Sequence, residues 1–495
     1  MNVNLMMLLA FGAGLFLLWV LSKLRNQPTR ESFLVANRSV TYMTGAFILT
    51  ANWVQAPALW VSGALWYQST WHFLAFLLPN VCAMVLTGFI AAKLQRMMRQ
   101  RGEKWYTIAQ AMGAIYGPGA RTMMLFCTLG ALTVAVSYTL TGIREWLSPV
   151  TGVSSWQMSM LIGACELMLV APSGLLGAIK ADKFKVALIA GFALLLVLLV
   201  STHGVDAKGP SIPASPMTPW QVFWFVGLPL GISLMGGPIC NPDLAERVWA
   251  VNEKSVRNAY IWGGVLFGVA ASVFGIFGPI ARELGYKLAP GQLPMLTVLR
   301  DILPEQAVYV MSVPIVLILA AALASLLASA GDVFSIEVVN RWFLPKAGDR
   351  QTVNWSRFAM LIPIVAGTYI TSFEKIDVRF LQESMAVVRG EAIFPVVCLA
   401  FLPFIPGRSV FWGMLVGGLG GILLFLGWFS MDPGLSKAFP VIASLGAPLG
   451  EYHWIAVNGK AVGALFALLV PLAFCLAGAL LAVKRERDFL ARYPS

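Results

Sequence analysis

Side chains able to hold a solute or an ion gather at two places in an otherwise apolar chain. The first is the run from Gly45 to Trp60, which contains Thr50, Asn52, Trp53, Gln55, Pro57 and Trp60. The second is the run from Leu234 to Asp243, with Gly236-Gly237-Pro238 followed by Asn241-Pro242-Asp243. Proline lacks a backbone donor and clashes with the carbonyl one turn back. Pro57 therefore frees carbonyls between Thr50 and Trp53, and Asn52 and Gln55 add amides beside two indoles. In the second run Pro238, Asn241 and Pro242 can unwind a helix and leave its end groups, with their partial charge, unpaired. Backbone groups freed at membrane depth cannot face lipid, so such interruptions survive where they line a cavity or a bound ion.

Ionisable residues inside apolar segments are the other candidates. Glu166, Asp182, Asp332, Glu337, Glu383, Arg389 and Glu391 qualify. Arg389 and Glu391 are two apart, so they do not share a helix face and each needs its own partner. Glu246-Arg247 reads as an interfacial ion pair. The small-residue run from Ala320 to Gly331 permits close helix packing, and its Ser325 and Ser329 offer hydroxyls.

The elements that must carry these residues are membrane helices. The chain has 495 residues, 58% apolar and 12% charged, against roughly 25% charged for a soluble protein. A span needs ~20 apolar residues. The expected spans are 3–22, 41–66, 71–98, 118–146, 155–178, 183–202, 220–246, 256–284, 305–341, 355–373, 379–404, 409–430 and 456–483. Basic residues recur on alternate sides. Lys23 and Arg25 follow the first span, Lys93 to Lys104 the third, Lys180, Lys183 and Lys185 the fifth, Arg247 to Arg257 the seventh, and Lys484 to Arg487 the last. This gives a multi-pass protein with its N-terminus outside and its C-terminus cytoplasmic. The net charge of +12 then reflects cytoplasmic loops rather than nucleic-acid binding. Spans two to six and seven to eleven form two groups of five with opposite orientation, an inverted repeat with one broken helix opening each half. The expected division is 1–40 (extra helix and loop), 41–202 (first repeat), 203–219 (extracellular loop), 220–404 (second repeat) and 405–495 (two further helices and a tail). The six cysteines form no CxxC or Cys/His cluster, so neither a disulfide framework nor a zinc site is expected.

Four stretches resemble the solute:sodium symporter family. Glu31 to Ser39 is similar to its "E-x-F-x-x-A-x-R-S" motif. Thr50 to Gly63 fits its first core helix, Asn241 to Ala250 the "Q-R-x-x-A" end of its sixth, and Leu323 to Val339 its eighth. The resemblance implies an all-α LeuT-type fold with discontinuous first and sixth core helices, alternating access, and a solute held between core helices one, three, six, eight and ten. It implies a principal sodium site made by the carbonyls of Thr50 and Trp53 and by two hydroxyls at positions that here are Ala321 and Ala322. That is a departure, because two methyl groups offer a hard cation no oxygen. It also implies a peripheral sodium site, whose positions map to Asp182 and Ser325.

The expectation is a carrier importing a small organic solute through a bacterial-type inner membrane, coupled to sodium by resemblance. A proton-coupled carrier using Asp182, Glu391 or Glu166, or an uncoupled one, is the alternative. Asn52, Trp53, Gln55, Pro57, Trp60, Asn241 and Asp243 are the expected solute contacts. The family's polar contacts on core helix one map to Ala56 and Pro57, which suits a flatter molecule than a sugar. No cofactor, nucleic acid or obligate protein partner is expected, and membrane lipid surrounds the chain. His72, His203 and His453 are scattered, so no catalytic constellation supports an enzyme. A sensor would need an output domain, and only about ten residues follow the last span.

Overall fold

The computed structural model describes residues 29–492 apart from 152–153, 173, 204–206, 290–291 and 374–375. The expected first span, 3–22, with Lys23 and Arg25, lies outside the described residues. The described chain is helical. Its first half contains α1 (Arg30–Val35), α2 (Tyr42–Trp53), α3 (Ser62–Gln68), α4 (Thr70–Gln100), α5 (Ile108–Tyr116), α6 (Pro118–Thr151), α7 (Ser155–Val170) and α8 (Leu175–His203). The second half begins with α9 (Pro219–Cys240), α10 (Pro242–Ala245), α11 (Arg247–Ala250), α12 (Val256–Gly275), α13 (Phe277–Glu283) and α14 (Pro294–Ile302). It continues with α15 (Glu305–Phe343), α16 (Asp349–Ala359), α17 (Leu361–Thr371) and α18 (Val378–Phe401). After these come α19 (Gly407–Met431), α20 (Pro433–Ala438), α21 (Pro440–Gly450) and α22 (His453–Arg492). Nine helices among the described residues are singly long and apolar enough to cross a membrane. The other expected spans are assembled from shorter pieces: α2 with α3, α7, and α16 with α17.

Packing between the halves is reciprocal. Broken helix α2 lies on α12, the second helix of the other half, and broken helix α9 lies on α4. Likewise α6 packs on α18 and α15 on α8, while α2 and α9 each also touch the last helix of their own half, α8 and α18. This exchange is what two interlocked five-helix repeats produce, and it surrounds both interruptions with protein rather than lipid. Outside the repeats, α19 and α22 pack together. Glycines at Gly413, Gly417, Gly421 and Gly463 allow that approach, since an added Cβ at any of them would meet the facing helix.

The fifth expected span ends early. Helix α7 stops at Val170, and Gly174 takes a positive φ of 55°, a conformation that glycine adopts without penalty. Helix α8 then begins at Leu175. Lys180, Lys183 and Lys185 are consequently helical rather than in a loop, and Lys185 is fully buried. The positive-inside pattern misplaced them because the apolar run continues across the turn.

Candidate functional site

The first interruption falls at Val54–Ala56, just ahead of Pro57. The N–H of Val54 still reaches the Thr50 carbonyl at 2.9 Å, but that of Gln55 turns back to Trp53 at 3.0 Å. Pro57 then opens a wide turn, Pro57–Val61, before α3 resumes. The second interruption is a single extended residue, Asn241, with φ −71° and ψ 118°. Pro242 disfavours helical geometry in the residue before it and starts α10 itself. The Asn241 carbonyl accepts the N–H groups of Leu244 (3.1 Å) and Ala245 (2.8 Å).

The two interruptions meet. Gln55 Nε2 donates to Asp243 Oδ2 at 2.9 Å, and Asn52 Nδ2 points at the Asp243 carbonyl at 3.5 Å. The Tyr138 hydroxyl, from α6, donates to Gln55 Oε1 at 2.5 Å. Arg389, from α18, donates to Asn241 Oδ1 at 2.6 Å and to the Ser233 carbonyl at 2.9 Å. Gln382 Nε2 reaches Ser233 Oγ at 3.0 Å. Asn52, Gln55, Tyr138, Ser233, Asn241, Asp243 and Arg389 are all buried. Several polar atoms here lack a partner among the described residues: Asn52 Oδ1, Asn241 Nδ2, Asp243 Oδ1 and Arg389 Nε, and Nε1 of the neighbouring Trp53. Buried groups are normally satisfied, so this concentration of spare donors and acceptors marks a place built for something polar.

A narrow pocket opens beside them, walled by Trp53, Phe76 and Phe267 on the aromatic side and by Gln55, Asn80, Tyr138 and Gln382 on the polar side. Pro57 contributes to its wall. Trp53 is held at the crossing of the two broken helices, since a Cβ added at Gly237 would run into its ring. Trp60 does not line this pocket. It stacks on Trp146 at 5.1 Å and 7°, with Gly142 beneath it. Asn80, Tyr138, Phe267 and Gln382 were missed in the sequence. The only signal of Asn80, Tyr138 and Gln382 was an amide or a phenol inside an apolar span, and Phe267 gave none.

A second polar cluster lies around α11. Ser325 Oγ donates to both Asp182 oxygens, at 3.0 and 3.2 Å, and Arg247 Nη2 stands 3.6 Å from Asp182 Oδ2 and 3.4 Å from Ser325 Oγ. Arg247 thus turns to Asp182 rather than pairing with Glu246 at an interface, and both are buried. The Glu246 carboxylate has no hydrogen-bond partner among the described residues. Glu337 is bound by Arg121 at 2.7 Å and by the Thr107 hydroxyl. Asp332 also belongs to this cluster, within charge reach of Glu246 and Arg247, while Glu391 and Glu166 lie apart. Glu391 accepts from Cys127 Sγ at 2.7 Å and faces Gly418. Glu166 is buried on α7, both oxygens unpartnered among the described residues.

At both expected sodium positions other groups already engage the oxygens that are present. At the principal one, Ala321 and Ala322 are fully packed inside α15, and the carbonyls of Thr50 and Trp53 each already accept a backbone N–H. At the peripheral one, the guanidinium of Arg247 already supplies positive charge to Asp182.

No family model matches the sequence, and no curated protein matches it. Solved structures do. One, of a Na+-coupled sialic acid symporter in a substrate-bound outward-open state, superposes with a TM-score of 0.70 at 13% identity, covering 97% of this chain and 97% of that one. Another, of Mhp1, a nucleobase-cation-symport-1 family transporter in a closed conformation with bromovinylhydantoin bound, gives 0.58 at 13% identity, covering 94% of this chain and 100% of that one. At that identity the likeness is one of fold: this chain is an all-α polytopic protein of the LeuT type.

Proposed function

We propose that the chain is a secondary active transporter of the solute:sodium symporter kind, importing a small organic solute by alternating access. The observation that carries this reading is the meeting of two interrupted helices beside a pocket whose polar groups are buried and partly unpartnered. Discontinuous helices crossing at mid-depth are how transporters expose backbone and side-chain groups to a solute. The pocket favours a flat solute that carries neutral hydrogen-bonding groups. Trp53, Phe76 and Phe267 offer ring faces, and Gln55, Asn80, Tyr138 and Gln382 offer donors and acceptors without net charge. A bound hydantoin in one structural neighbour is in keeping with that class. Asn52, Asn241 and Asp243 hold the two helices in register around the pocket, and Trp60 serves packing.

Sodium coupling comes with the family resemblance alone, since Arg247 stands beside Asp182 and Ser325 at the peripheral position. A second reading, a proton-coupled or uncoupled carrier, is favoured by Ala321 and Ala322, which remove two oxygens from the principal ion site. Glu166 and Glu391 are then candidates for carrying a proton.

The test is a thermal-shift screen of the purified protein against flat amide- and imide-containing solutes, with and without sodium, at two pH values. Ligand binding to the folded state raises its apparent stability by mass action. A hit that is lost in Gln55→Leu and Trp53→Ala supports the pocket. A hit unaffected by both substitutions places the solute elsewhere.

A further inference from the structure

Lys185 is a buried cation with no assigned role. It lies on α8, one turn beyond Asp182, fully buried, and its Nζ has no hydrogen-bond partner among the described residues. An ammonium persists in such a place only where other charges compensate it. The carboxylates whose charge reaches it are Asp182 on its own helix and Asp243 at the second interruption. Asp243 Oδ1 is itself without a hydrogen-bond partner among the described residues.

The position of Lys185 follows from the packing of α8. This helix touches both α2, which carries Thr50 and Trp53, and α15, which carries Ala321 and Ala322. Helices α8 and α15 run antiparallel. Ala171, just ahead of α8, accepts from Arg357 at 2.7 Å, and the adjoining Ser356 lies against Gly331 on α15. Further along, Asp182 meets Ser325. Continuing one turn in that direction brings Lys185 level with Ala321 and Ala322. Their methyl groups present an apolar wall to a lysine stem, which side chains of this kind bury readily.

We infer that Lys185, one turn along α8 from Asp182, supplies to Asp182 and Asp243 the positive charge that the resemblance assigns to the principal sodium, so that the chain does not bind sodium at that position. The inference rests on the carrier reading and concerns its ion. Lys185 would act on the solute pocket through Asp243, whose Oδ2 holds Gln55 in the pocket wall. Two oxygens lost on α15 and one cation gained on α8 are then a single change, an ion exchanged for a side chain.

Sodium itself is the probe. The purified full chain is melted in sodium chloride and in choline chloride at equal ionic strength. The wild type is expected to show no sodium-specific shift. The combined variant Lys185→Ala, Ala321→Ser, Ala322→Ser is expected to gain a sodium-specific rise of about 2 °C or more. If it does not fold, Ala321→Ser/Ala322→Ser with Lys185 retained is compared with the same pair carrying Lys185→Gln. A sodium response that appears only when the lysine is removed supports the inference. A response in the wild type, or with the lysine retained, overturns it. Solute counterflow in proteoliposomes tests the carrier reading separately, because its absence would remove that reading and leave the sodium result standing.

Discussion

At the first interruption the side chains are amides and indoles; at the second they carry charge or are bound to it. Around Val54–Ala56 the helix is reopened by Pro57, and the freed space is lined by Trp53, Gln55 and Tyr138. Around Asn241 the unwinding is one residue long, and a guanidinium from α18 holds it. The difference follows from what each break must do. A neutral opening lined by rings and amides is suited to ring faces and hydrogen bonds. A narrow charged one fixes the angle between two half-helices and places Asp243 where it can hold Gln55. On the proposed reading the first break is the receptive side and the second the structural side, and the two are joined by the Gln55–Asp243 bond.

The largest effect should come from the structural side. Arg389→Leu removes the donors to Asn241 Oδ1 and to the Ser233 carbonyl, both buried. Hydrogen bonds from a charged group contribute roughly 1.5–3 kcal/mol each, so a loss of about 3 kcal/mol or more in unfolding free energy is expected. Arg389→Lys should recover part of it, since lysine keeps the charge but not the planar fork. A thermal melt of all three proteins reads this directly. An unchanged melting temperature in the leucine variant would show that the second break stands without its guanidinium.

Gly237→Ala tests the crossing point next. The added methyl would meet the Trp53 ring, which also lies 6.2 Å from the Phe267 ring centroid. Overpacking of this kind costs about 1–3 kcal/mol. Because Trp53 walls the pocket, ligand-induced stabilisation should weaken along with the intrinsic stability. Loss of stability with full ligand response would separate Trp53 from the receptive side.

The bond between the breaks is smaller still. A double-mutant cycle of Gln55→Leu and Asp243→Ala isolates it. Interhelical hydrogen bonds in membrane proteins average about 0.6 kcal/mol and reach about 1.7 kcal/mol, so a coupling near 1 kcal/mol is expected. Zero coupling would mean that the two interruptions meet without supporting one another.

The interruptions were legible in the sequence because helix breakers are local: Pro57 and Pro242 act on the backbone beside them, whereas Pro238, also expected to unwind the helix, lies inside α9. The partners were not, because they depend on how each helix is rotated against its neighbours. Nothing near Asn241 announces Arg389, which lies on a different span. Trp60 reads like Trp53 in sequence, yet the wide turn after Pro57 sends it onto Trp146 instead of into the pocket. Lys185 was read as a loop residue because a continuous apolar run hides the turn at Gly174. Arg247 was paired with its sequence neighbour, while in the fold it reaches across to Asp182 on α8.

The smallest effect lies outside the membrane, where the far end of the first broken helix is tied down. The Tyr67 hydroxyl donates to the Tyr286 carbonyl at 2.8 Å, and the Tyr286 hydroxyl donates to Asp301 at 2.6 Å. Lys208 from the loop between the halves adds an ion pair to the same carboxylate at 2.8 Å. Hydrogen bonds from Lys208 and then Tyr286 hold the Asp301 carboxyl below its ordinary range. A carboxylate depressed in the folded state contributes stability that is present above its unfolded pKa, near 4, and is lost as pH falls through the lower folded value. Lys208→Met should therefore lower the melting temperature slightly at neutral pH and have no effect once Asp301 is protonated. Both side chains are partly exposed, which limits the difference to about 1 kcal/mol or less and makes it shrink with salt. If the loss at neutral pH instead matched that of Arg389→Leu, the clasp rather than the guanidinium would be holding the broken helices in place, and the assignment of structural and receptive sides would have to be reversed.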